Sequence, residues 1–143
     1  MADDENILEE DEERIYYTVE EANKLLPKLI PVLKDLEMAF LDMEDKREAY
    51  ETEHTKVANN GGHFGEGQHR VAREAFDKAN GKFDRLSDAI EEYGIVIKGM
   101  EPPLIDFFSQ RDDEDIFLCF KLGEEKIEYW HDLESGFAGR QPL

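Results

Sequence analysis

Cysteine is almost missing from this chain. Cys119 is the only one in 143 residues, so no internal disulfide can form, which fits a reducing cytoplasm. Long apolar runs are missing as well. No stretch approaches the ~18 residues of a spanning helix, and the first fourteen residues lack the apolar centre of a signal peptide, so neither a membrane nor export is expected. Bases are few: 17 Lys and Arg stand against 36 Asp and Glu, for a formal net charge of -19. Such a surface repels phosphates, and no basic stripe offsets it, which argues against nucleic acid and against anionic membranes as partners. Nor is there any catalytic signature of recognisable spacing.

What is present organises into one domain with a tail. Residues 2 to 13 carry eight acids and little to bury, so residues 1–14 read as a disordered acidic tail, and 15–143 as a single domain. Thr18 and Glu21 form a capping box that starts a helix at Val19. Pro27 and Pro31 lack the amide a helix interior uses, which predicts a break or kink between Leu26 and Pro31. Helical pattern continues to Ala58, stops at Asn59-Asn60-Gly61-Gly62, resumes near Gly67 or Gln68 and runs to Tyr93 before Gly94. Gly81 inside this second helix suggests a bend or the close approach of another element.

The two helices carry matching seams. Leu36, Phe40, Met43, Arg47, Tyr50, His54 and Val57 step by four and three, as do His69, Ala72, Phe76, Ala79, Phe83, Leu86, Ile90 and Tyr93. Folded antiparallel about Gly61-Gly62, they place His54 opposite His69, Arg47 opposite Phe76, Phe40 opposite Phe83 and Leu33 opposite Ile90. The expected architecture is α+β. A long antiparallel helical hairpin (19–94), roughly 40 Å long at ~1.5 Å per residue, carries a small antiparallel β-sheet (95–143) on its open end. The open end is broadly apolar, while the loop end narrows and turns polar, so the sheet should cover the open end and leave the tip as a projecting stalk; the alternative cover is a second copy of the chain, in a coiled-coil-like four-helix arrangement.

After the hairpin, Ile95-Val96-Ile97 and Leu104 to Phe108 favour strands, with a turn at Arg111-Asp112-Asp113. Ile116 to Leu122 and Ile127 to Trp130 flank the turn Gly123-Glu124-Glu125 as a β-hairpin. Ile116, Leu118, Phe120 and Leu122 form its core face; Phe117 and Cys119 point to the opposite, partly covered face. A register centred on residue 124 puts Cys119 near residue 129, close to His131 but not paired with it. The last residues, Gly136-Phe137-Ala138-Gly139-Arg140, should be bound down rather than loose.

Two segments carry a resemblance. Tyr17-Thr18-Val19-Glu20-Glu21-Ala22-Asn23-Lys24-Leu25-Leu26-Pro27, with Leu118-Cys119-Phe120-Lys121-Leu122-Gly123-Glu124, Trp130-His131 and Gly136-Phe137-Ala138-Gly139-Arg140-Gln141-Pro142, resembles a family of small bacterial proteins catalogued as a domain of unknown function, of the DUF2203 type. Phe120 stands where that family often has Trp, and Pro102-Pro103 where an Arg-Gly type turn is expected. The resemblance implies the fold and no activity.

Three sets of residues are candidates for chemistry. Glu51 and His54 on one helix, with Glu66 and His69 opposite, repeat the Glu-x-x-His spacing that projects ligands for a divalent transition metal into a helical bundle. His63 lies in the loop between them. Such sites need further glutamates, and the same residues read equally as solvated histidines closing a hairpin tip. Trp130, His131 and Arg140 form a second set, in which Arg140 would clamp a small anion and His131 would act as acid, base or ligand. In the structural reading of the same set, Arg140 ties the last segment to a carboxylate such as Asp106 and His131 bonds backbone. Third, Cys119 reads as a small buried hydrophobe, or as a nucleophile if exposed beside His131. Arg47 is explained by an ion pair with Glu44 or Glu48. The expected function is a non-catalytic interaction or scaffold protein without cofactor, binding a protein partner or itself as a homodimer. The alternative is a metal-binding protein or metalloenzyme.

Overall fold

The structure, a computed structural model, describes residues 14–59 and 66–143; of Glu66 the backbone alone is described. The acidic tail and His63 lie outside the described residues. Arg14, counted with the tail from the sequence, belongs to the fold: its guanidinium donates to Asp115 Oδ2 at 3.2 Å and lies over the Phe108 ring.

Helix α1 spans Val19–Asn59 and α2 Glu66–Glu91. The capping box forms as the sequence implies. Glu21 N donates to Thr18 Oγ1 at 3.1 Å and Thr18 N donates to Glu21 Oε1 at 2.9 Å, satisfying two amides the helix leaves open. Of the break or kink expected at Pro27–Pro31, the break does not occur, since α1 runs through both prolines without interruption. Both lie on the exposed face, where water can take the carbonyls of Asn23 and Pro27 that lose their helical donors. The helices pack antiparallel in the expected register. Phe40 and Phe83 have ring centroids 5.7 Å apart, and His54 and His69 5.3 Å. Arg47 pairs with Glu44.

Gly81 has no close neighbour. A Cβ there would meet only the end of the Arg85 side chain, at 3.4 Å, so no crossing element explains it. Gly81→Ala is therefore expected to stabilise the protein by about 0.5–1 kcal/mol, measured by urea unfolding; a loss of stability would show a constraint at this position. Gly94 differs. Its φ is +79° and a Cβ would stand 2.9 Å from the Ile15 side chain, so glycine ends this helix for two reasons.

Five strands follow: β1 Val96–Met100, β2 Pro103–Arg111, β3 Glu114–Lys121, β4 Tyr129–Asp132 and β5 Gln141–Pro142. They form one antiparallel meander in chain order. Strands β2 and β3 join through Asp112 and Asp113, both with positive φ, the backbone a two-residue hairpin of right-handed twist requires. β3 and β4 pair as the sequence reading placed them, Cys119 opposite Tyr129, although the connection between them is longer than a tight turn.

The helices cover one sheet face. Ala22, Leu26, Leu29, Leu33, Leu36 and Ile90 pack there with Ile105, Phe107, Ile116, Leu118, Phe120 and Ile127. Ala22 is fully buried at this junction, and the next residue, Asn23, accepts a 2.7 Å hydrogen bond from the Ile127 amide. The opening Glu-Glu-Ala-Asn motif thus caps the helix, fits it to the sheet and ties it to the β3–β4 connection. No helix among the described residues is long and apolar enough to cross a membrane.

Candidate functional site

Alternation along the strands sends a second set of side chains to the sheet face away from the helices. Asp106 on β2 is the cross-strand partner of Cys119 on β3, and His131 on β4 lies one pair further along, opposite Phe117. All three are buried, with exposures of 1%, 0% and 1%. One donor atom from each lies within 4.8 Å of the others, and they are the group of three such ligand-type residues found among the described residues.

Their hydrogen bonds fix chemistry as well as position. His131 Nδ1 is 2.7 Å from the Asp132 carbonyl, which can only accept, so Nδ1 carries a proton. Nε2 then faces Asp106 Oδ2 at 3.0 Å. Neither Asp106 oxygen receives a well-directed hydrogen bond, an expensive state for a buried carboxylate. Burial pushes the Asp106 carboxyl above its ordinary range, against the opposing pull of His131 and Lys98. Burial, with the Asp106 charge, pushes the Cys119 thiol up to about 12 despite Arg140 nearby. At neutral pH this sulfur is a thiol, which removes the nucleophile reading.

The C-terminal segment closes the same face. Arg140 donates to Glu124 Oε1 at 2.7 Å and to the Cys119 carbonyl at 3.4 Å, and its guanidinium lies over the rings of Tyr129 and Phe137. The carboxylate that holds Arg140 is therefore Glu124, where the sequence suggested Asp106. Asp106 belongs instead to His131. Both Arg140 bonds are made by Nη2, and Nε is buried without a partner. Gly139 permits this closure, since a Cβ there would collide with the Ser135 side chain at 2.3 Å. The chain end is bound down: β5 pairs with β4, and Leu143 N donates to the Glu128 carbonyl.

Trp130 is not part of this site. It pairs with Leu118 on the helix-facing side, against the core, with Arg111 over its ring. At the hairpin tip, His54 Nδ1 and His69 Nε2 approach to 3.2 Å beside Tyr50. Glu51 is exposed and forms no ligand group with them among the described residues, and the Glu66 side chain lies outside the described residues. The sequence reading offers Asp106 only as a mate for Arg140 and does not foresee its place beside Cys119 and His131. Its signal was a lone acid at the centre of the apolar run Leu104 to Phe108.

The model of an uncharacterized conserved protein family, DUF2203, matches residues 15–143, which includes every residue of both sites. The chain belongs to the DUF2203 family. No curated protein and no solved structure gives a significant match to this DUF2203 chain. Within the DUF2203 match, the segments that carried the resemblance are those that build the capped helix start, the Cys119 strand, His131 and the Arg140 closure.

Proposed function

We propose that this DUF2203 protein is a non-catalytic interaction or scaffold protein that self-associates through the distal half of its helical hairpin. The observation that supports this reading is where burial stops. Every fully buried residue of α1 lies between Ala22 and Ala39, and none follows over the remaining twenty residues, although Phe40, Met43, Tyr50 and Val57 continue the apolar seam. The sheet covers the proximal half; the distal half is half of a bundle. Val71 is 62% exposed there, on an open groove of about 770 Å³ whose floor is Ala49, Ala72 and Ala75. Small side chains of this kind let another helix approach closely.

Charge favours a second copy as the occupant. Although the chain carries -19, the distal segments 40–59 and 66–85 hold ten acids against eight bases, the acids in excess on α1 and the bases on α2. Two stalks facing each other then meet without the repulsion of the whole molecule, and opposite charges can align.

Light scattering across a concentration series tests this. The expected species is a concentration-dependent dimer, and Val71→Glu with Ala75→Glu should raise its dissociation constant by at least ~30-fold while the helical circular dichroism is retained, since both substitutions lie on the exposed groove. A wild-type protein that stays monomeric at the highest concentration, or a dimer indifferent to both substitutions, contradicts the proposal.

A further inference from the structure

We propose that Asp106, Cys119 and His131 form a binding site for one divalent transition metal ion of the zinc class. The ligands come from three adjacent strands, so the sheet itself sets their positions. A carboxylate oxygen, a sulfur and an imidazole nitrogen form the mixed hard and soft set that suits zinc or cobalt and suits magnesium or calcium poorly. His131 is already oriented as a ligand. Its Nδ1 proton is committed to the Asp132 carbonyl, which aims the other nitrogen at Asp106 and inward. Asp106 supplies the second, independent sign: a side chain 1% exposed, with both oxygens lacking directed donors and one of them facing His131 Nε2.

Charge balances without cost to burial. A dication held by thiolate, carboxylate and neutral imidazole sums to zero charge, so the loaded site buries no net charge, and the Cys119 proton leaves on binding. The donor atoms stand within 4.8 Å of one another, whereas tetrahedral bonds of ~2.0–2.3 Å space ligands roughly 3.3–3.8 Å apart. Rotation of the Cys119 and Asp106 side chains by about one ångström at their tips closes the set. Among the described residues no fourth acid, cysteine or histidine joins the three, so the fourth position falls to water or another exogenous ligand.

The test uses the full-length protein without a histidine tag, stripped with chelator and titrated with cobalt(II), then zinc(II). One equivalent of cobalt should bind with a thiolate-to-metal charge-transfer absorption, which zinc then abolishes, and the Cys119 thiol proton should be released on binding. Cys119 is the only cysteine, so that band identifies the ligand even if no variant folds. Cys119→Ala, a near-isosteric change at a buried position, should keep the circular dichroism and weaken zinc binding at least ~100-fold. The pair His54→Ala and His69→Ala should leave band and stoichiometry unchanged. Absence of the charge-transfer band in the wild type, undiminished zinc affinity in Cys119→Ala, or loss of the bound ion with the tip histidines would each overturn the proposal.

Discussion

Removing one member of the Asp106–His131 pair, by Asp106→Ala or by His131→Ala, is expected to lower the unfolding free energy of the metal-free protein by about 3–5 kcal/mol in urea at neutral pH. The reason lies in what remains. Both side chains are 1% exposed, so the survivor keeps its polar group in a site that water does not reach. After His131→Ala, Asp106 loses the imidazole 3.0 Å from its carboxyl, and the Phe117 ring tilted against His131 loses its neighbour as well. After Asp106→Ala, His131 retains only its bond to the Asp132 carbonyl. A loss under about 1 kcal/mol for either change would mean that the face is open to solvent.

Arg140→Ala should cost about 3 kcal/mol and release the chain end, seen as faster hydrogen exchange at the Leu143 amide, which bonds the Glu128 carbonyl. The guanidinium holds Glu124 and lies over two rings, so one substitution removes an ion pair and two cation–π contacts. Its pH dependence has a definite sign. Burial pushes the Glu124 carboxyl up, but Arg140 and the Lys121 amide outweigh it and hold the carboxyl below its usual range. Stability from this group is therefore fully present above the unfolded-chain value and is lost as pH falls through the lowered folded value. In Arg140→Ala that acid sensitivity should shrink. An unchanged acid limb of the unfolding curve would assign the low carboxyl to Lys121 alone.

Local rules made much of this molecule readable. The Thr18–Glu21 box, the paired helical seams and the alternation of β3 each depend on residues close in sequence or on a period, and each appears in the structure. The prolines of α1 misled as to a break because a missing amide was weighed without knowing that the carbonyl four residues back would face water. Gly81 misled in the same way: an intrinsic cost was read as a sign of contact, and none is there. Of the buried face, the sequence showed the side Cys119 takes and its nearness to His131, but not the pairing of the charges. Which acid meets Arg140 and which meets His131 depends on the order of β2, β3 and β4 and on the position of residues 122–128, and these are tertiary facts. One sequence clue remained: an aspartate inside an apolar strand must be satisfied by something, and here the candidates were a histidine and a metal.

The most direct measurement is a double-mutant cycle on Asp106 and His131 in the metal-free protein, with alanine at each position and at both. If the two are partners in one buried site, removing the second after the first leaves nothing further unsatisfied, so the double variant should be no less stable than the worse single, with a coupling of about 3 kcal/mol or more, at least the smaller single loss. Losses that simply add would place the two side chains in separate surroundings, and the site described here would not exist.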